Sequence, residues 1–297
     1  MIWIGNLWRW FFSMNQTNYS AYLKYENEQE RKYQETLKEF GLLKHSSDNP
    51  WIYSVSPNIE VKRGFKIHLS ATIVNATAIA ESFFKFIKTN NFDINFKILS
   101  SLKELTLQNA GIYGYSQVGK FITIYPNSDD ELNRLLVELE MLFKGVKGIP
   151  IPSDFKFQLS DVVYYRYGEF IKDPSYRDMR NKTIPADVKV PISDYYIDRY
   201  DNIPSEYLIL KVLIRNAKGG VYKVFNIHSK QVVILKESKN LSMIDFTNRD
   251  SVNRMIMEKE ILVKLKNEKG APSDTGHHRR MLHAESQSEQ QVNKVSV

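Results

Sequence analysis

The 297-residue chain is 42% hydrophobic and 25% charged with abundant Tyr and Phe, which excludes an intrinsically disordered chain and supplies enough apolar surface for a core. Its zero cysteines remove disulfides, thiolate nucleophiles and Cys-containing zinc sites, and fit the cytoplasm expected for it. The net charge is +7, but 41 Lys and Arg are interspersed with 34 Asp and Glu and form no long basic block, so no nucleic-acid partner is expected.

Taken in chain order, MIWIGNLWRWFF is apolar and aromatic, yet it carries Arg9, stops after about a dozen residues and lacks a small-residue cleavage site. Neither a membrane span nor a signal peptide fits it, and no membrane partner is expected. Met14 is the expected true start, and residues 1–18 are placed outside the fold as an uncertain extension. From Tyr19 to Leu43, Tyr22, Tyr25, Tyr33, Leu37 and Phe40 recur at helical spacing among charges, predicting an amphipathic surface helix that Gly41 can cap. Strands are predicted at Lys66–Ser70, Asn95–Leu99, Phe121–Tyr125 and Val162–Tyr167, with helices at Asn75–Thr89 and, after the turn and first-turn acids of PNSDDE, Leu132–Phe143. The alternation implies an α+β domain over 19–204, a mixed sheet flanked by helices.

On or beside those strands stand Lys66 and His68 in FKIHLS, Lys97 in NFKIL, Lys120 in GKFITIYP and Arg166 in VVYYRYG. No acid is expected to accompany any of them. Several cations with a histidine suit an anionic phosphoryl group better than a metal or a neutral substrate, and no metal site is expected. Singly, each has a plainer role. Lys66 can snorkel beside a strand, His68 can be a satisfied half-buried histidine, Lys97 and Lys120 can guard strand edges, and Arg166 can stack among tyrosines.

A second unit, 205–267, opens with the strand-like YLILKVL, turns through NAKGGVYKVFN and continues in QVVILKESK. This resembles the Gly-rich loop and strand lysine of protein kinases. Gly219, Gly220 and Val221 match the end of that loop and Lys236 follows at the family's spacing. Ile214 and Asn216 replace its first two glycines, although Asn tolerates a positive φ. In RMIMEKEILVKLK, Glu258 is best placed to pair with Lys236, and Glu260 is the alternative. No HRD or DFG occurs in the sequence, so phosphotransfer is not expected of it. Residues 268–297 are polar and aperiodic and are expected to form a disordered tail.

Together FKIHLSATIVNA, NFKIL, YSQVGKFITIYPNSDDEL and DVVYYRYGEF resemble the N-terminal phospho-Ser/Thr lyase domain of class III lanthionine synthetases, and less closely that of class IV. That domain is similar in its active site to bacterial effector phosphothreonine lyases. The resemblance covers residues 19–200 and runs on into the kinase-like region. It implies β-elimination from phosphoserine or phosphothreonine in a precursor peptide, with Lys97 as base, His68 as acid, and Lys66, Lys120 and Arg166 on the phosphate. It implies no cofactor for the elimination, and ATP with Mg only for an intact kinase, in which Asn216, Gly219, Gly220, Val221, Lys236 and Glu258 would face the nucleotide. A separate kinase or cyclase chain is the further partner it suggests. The alternative is a non-catalytic remnant that binds a leader peptide or a nucleotide.

Overall fold

The computed structural model describes residues 16–42, 49–54, 62–170, 184–188, 190, 204–265 and 293–296. Helix α1 (Gln16–Glu39) keeps its charges outward and buries Tyr33 and Leu37 completely. It begins within the segment placed outside the fold by sequence. Its end is a Schellman cap: the Gly41 amide donates to the Lys38 carbonyl, the Leu42 amide to that of Leu37, and Gly41 takes φ +72°.

The first sheet contains β1 (Trp51–Tyr53), β2 (Arg63–Ser70), β3 (Asn95–Leu99), β4 (Lys120–Tyr125), β5 (Phe155–Lys156) and β6 (Val163–Glu169). Their order is β1-β3-β4-β2-β6-β5. Every neighbouring pair is antiparallel, which corrects the mixed sheet expected from the β–α–β alternation. The reason is topological. Strands β2 and β3, joined through helix α2 (Ala76–Thr89), do run parallel, but β4 is inserted between them; β4 and β6, joined through helix α4 (Asp129–Leu142), are likewise split by β2. This is the split βαβ plan of ferredoxin-like folds. Helix α3 (Leu102–Asn109) stands between β3 and β4. Ser101 and Ser128 cap α3 and α4, each accepting from the amide three residues on.

Alternation along the strands separates the faces. Ile67 and Leu69, Ile98, Ile122 and Ile124, and Val163 and Tyr165 point toward the helices. There they pack with Phe83 and Phe84 of α2 and Leu135 and Leu136 of α4, all 1% exposed or less. Each such side chain stabilises the fold by roughly 1.5–3 kcal/mol. The opposite face carries the polar residues.

The second unit is the sheet β10-β9-β8-β7, formed by β7 (Tyr207–Asn216), β8 (Gly219–Asn226), β9 (Gln231–Ser238) and β10 (Asn293–Ser296), with helix α5 (Ser251–Leu265). Strand β10 lies within the stretch expected to be a disordered tail. Its ladder with β9, Val295 opposite Lys236, supplies the pairing that a polar sequence does not advertise. The remainder of that stretch, 268–292 and 297, lies outside the described residues, as do residues 1–15.

The units meet in a seam. Ala217, at the β7–β8 turn, is buried with Val118 and Ile149 of the first unit, and Leu241 packs onto them. Nζ of Lys239 donates to the Tyr115 hydroxyl at 2.9 Å. Phe246 meets Tyr25 of α1 edge-on, with ring centroids 5.8 Å apart. Among the described residues no helix is long and apolar enough to cross a membrane, and no cluster of His, Asp or Glu is suited to a metal ion.

Candidate functional site

The ladder sets the site. Across four strands Tyr53 stands opposite Lys97, Lys97 opposite Thr123, Thr123 opposite His68, and His68 opposite Tyr164. Directly opposed residues share a face, so this row lies on the sheet side away from α2 and α4. In the next row Lys66 is opposite Arg166 and Asn95 opposite Tyr125.

Lys120 reaches the same face through a bulge. Leu69 pairs with Ile122 but Ser70 pairs with Lys120, so one extra residue enters β4. Without that slip, Lys120 would fall on the helix side, since strand side chains alternate with period two. The bulge leaves Phe121 fully buried in the core, against the Tyr33 ring. Gly119, just before it, has φ +82°, and a Cβ there would come 2.8 Å from the Ile149 carbonyl oxygen.

The structure brings His68, Lys120 and Arg166 together around Asp154, which is fully buried in the turn before β5. His68 Nδ1 touches one carboxylate oxygen of Asp154. Lys120 Nζ lies 3.1 Å and Arg166 Nε 3.9 Å from the other. The Ser153 hydroxyl sits 2.6 Å from that second oxygen and 3.0 Å from the Ser116 carbonyl oxygen. His68, Lys120 and Arg166 are buried, and Lys66 beside Arg166 is too. Lys66 Nζ donates to the Glu169 carbonyl and lies 5.8 Å from the ring centroids of both Tyr125 and Phe170. Lys97 is on the same face but two strands from His68, its Nζ 4.3 Å from the Trp51 ring centroid. Lys156, also buried, is paired with Asp161 at 2.7 Å.

Burial by itself would raise the Asp154 pKa; His68 and Lys120, with hydrogen bonds from His68 and Ser153, outweigh it and hold the carboxyl well below the usual range. His68 is pushed down to about 3, first by burial, with Asp154 opposing and Lys120 and Lys66 adding to the fall. Asp154 is thus held toward its ionised form and burial favours the neutral imidazole of His68, whose Nδ1 faces the carboxylate. The other ring nitrogen, Nε2, is left to exchange a proton with a bound group. Such a set can bind a multiply charged anion and trade one proton with it.

The expectation that no acid accompanies the cations is thus corrected. Asp154 lies far from each of them in sequence and meets them only through the fold. Its one sequence signal is a lone acid inside the apolar run Ile149–Phe157. Trp51 and Ser153 were missed as well, both on segments too short to show a period.

In the second unit Lys236 Nζ donates to both carboxylate oxygens of Glu258, at 2.8 and 2.6 Å, and Glu260 is exposed. Val221 stands opposite Lys236 and Gly220 opposite Glu237. Gly219 has φ +151°, and a Cβ there would lie 2.0 Å from the Glu237 carbonyl oxygen, so the turn admits only glycine. Asn216 does not take the positive φ foreseen for it; its side chain accepts from the Lys218 amide at 2.9 Å and closes the turn in that way. The turn adjoining this pair is engaged at the seam through Ala217.

Comparison with known families gives a match to "RamC, N-terminal domain" over residues 34–190, more than half of the chain. Among curated proteins the chain is similar to "Probable SapB synthase" of Streptomyces coelicolor, at 26% identity over 230 residues, covering 68% of this chain and 24% of that protein. The chain spans about a quarter of the length of the curated relative it matches.

Proposed function

The chain belongs to the RamC N-terminal domain family, and from that premise we propose that its first unit is a phosphoserine/phosphothreonine lyase acting on a lanthipeptide precursor. The observation that carries the reading is the convergence of His68, Lys120 and Arg166 on buried Asp154, with Lys66 beside them and Lys97 on the same face. Similarity to a "Probable SapB synthase" supports the link to lanthipeptide chemistry.

Lys66, Lys120 and Arg166 hold the phosphate oxygens. Lys97, as the amine, takes the Cα proton; the C–H electron pair becomes the Cα=Cβ bond, and the Cβ–O bond breaks with its electrons leaving on phosphate. His68 passes a proton to the departing oxygen. The products are dehydroalanine or dehydrobutyrine, hydrogen phosphate and a protonated Lys97. His68 is neutral in the empty site, so it gains its proton when a phosphate dianion arrives and offsets the nearby cations. The two groups flank Thr123. Strand spacing separates their backbones by roughly 9–10 Å, room for a substrate Cα–Cβ–O unit with a hydrogen bond at each end.

No cofactor enters the elimination. ATP with Mg belongs to the kinase step, the start of whose fold β7–β9 and α5 resemble. The competing reading is a site that binds phosphopeptide or leader without chemistry, and the seat of Lys97 on Trp51 is the observation in its favour. The full chain, incubated with phosphoserine and phosphothreonine peptides and followed by mass spectrometry, should release the elements of phosphoric acid. Lys97→Ala should abolish this and keep phosphopeptide binding. Full activity in that variant removes the lyase assignment, and binding without turnover in the parent chain establishes the competing one.

A further inference from the structure

We infer that Trp51 is a positioning residue for Lys97, a parking place that holds the ammonium at the sheet edge until substrate draws it inward; this rests on the elimination reading. Trp51 stands opposite Leu99, two residues along the ladder from the Tyr53–Lys97 pair, so its ring lies diagonal to Lys97 on the same face. The separation of 4.3 Å is well inside the reach of about 6 Å over which an aromatic face attracts a cation.

The strand that carries the ring is fixed from several sides. The Trp51 amide donates to Asn49 Oδ1 at 3.0 Å, the Ser100 amide donates to the Pro50 carbonyl at 2.8 Å, and the indole packs against the main core. An edge strand of three residues is thereby pinned with its indole over the lysine.

A π face stabilises an ammonium and not an amine, whereas abstraction of a Cα proton needs the amine. Trp51 therefore acts before the chemistry. It keeps Lys97 charged while the site is empty, adding to the attraction for a phosphate, and it keeps the lysine clear of the Thr123 position that the substrate must cross. Among the described residues, the titratable groups that share the sheet face with Lys97 include Tyr53 from β1, Tyr125 from β4, and, beyond Thr123, His68 and Lys66 from β2. Beside them the indole, 4.3 Å from the ammonium, is a close neighbour that favours the charged form.

The test is a ring series at position 51 in the full chain. Lys97 is titrated by NMR on isotope-labelled lysine, and kcat/KM is followed against pH on a phosphoserine peptide. Because the ring favours the charged form, Trp51→Leu should lower the Lys97 titration midpoint and move the acid limb of kcat/KM to lower pH by about half a unit or more. Trp51→Phe and Trp51→Tyr should fall between. A midpoint and a limb that stay put across the series, with Lys97→Ala inactive, overturn the inference and leave the lyase reading intact. An active Lys97→Ala instead removes the lyase reading itself. If the Leu variant does not fold, the order Trp above Tyr above Phe decides, and a flat order counts against the inference.

Discussion

Asp154 is the residue on which the polar face is organised, and the burial of His68 beside it gives the fold a built-in sensitivity to acid. Between pH 6.5 and about 3 an unfolded chain takes a proton on this histidine while the folded chain does not. Stability therefore falls as pH drops through that window, by up to about 1.4 kcal/mol per pH unit from this group. Asp154 adds its own loss lower down: its folded pKa is depressed, so its contribution is present above the ordinary carboxylate range and disappears as pH falls below it. Urea melts at pH 7, 5.5 and 4 should show the decline, and His68→Gln should flatten its upper part. A wild-type stability that is level from pH 6.5 to 4.5 contradicts the buried neutral imidazole. The sequence displayed Lys66, His68 and Arg166 because strand alternation exposes a cation between apolar neighbours. Asp154 stayed hidden because the IPSD turn has no period, and the contact it makes is a property of the closed fold.

At the scale of elements, two glycines with positive φ separate a backbone preference from a steric requirement. A Cβ added at Gly41 (φ +72°) would meet nothing within 4 Å, so Gly41→Ala should cost about 1 kcal/mol, the left-handed conformation alone. Gly119 (φ +82°) faces the Ile149 carbonyl at 2.8 Å and precedes the bulge that turns Lys120 to the polar face. Gly119→Ala should cost clearly more and also lower phosphopeptide affinity, measured by denaturation and calorimetry on both variants. Equal losses would mean that the bulge tolerates displacement. Long elements were legible: α2, α4 and the apolar alternation of β2, β4 and β6 follow the periods of their sequences. Strands β1 and β5, of three and two residues, offer too few positions to show any period, and the bulge is a relation between two strands that neither states alone. The helix between β2 and β3 leaves them parallel, but local sequence says nothing about the third strand inserted between them.

For the whole molecule, β7 is the exposed flank. Leu208, Ile209, Leu210, Val212, Leu213 and Ile214 are each 44–54% exposed, and the strand is an outer edge of its sheet. An apolar edge of this kind templates association. Its two register shifts against β8 twist it and blunt the hazard only in part. Sedimentation at rising concentration should reveal self-association that Leu210→Lys reduces without altering the melting curve; a monomer at all concentrations would mean that the shifts suffice.

The sequence suggests two modules that a cut near residue 204 would separate, but the seam makes them neighbours with shared parts. Ala217 and Leu241 complete an apolar patch begun by Val118 and Ile149, and Lys239 is tied to Tyr115. Ser116, one residue on from Tyr115, places its carbonyl beside the Ser153 hydroxyl at Asp154. Anyone grafting this front unit onto a foreign partner inherits a compatibility problem. A donor sequence that ends before Ala217 leaves Val118 and Ile149 wet, and a recipient must bring its own small residue and its own cation to those coordinates. Chimeras between relatives should therefore succeed in proportion to how faithfully both sides of the joint travel together.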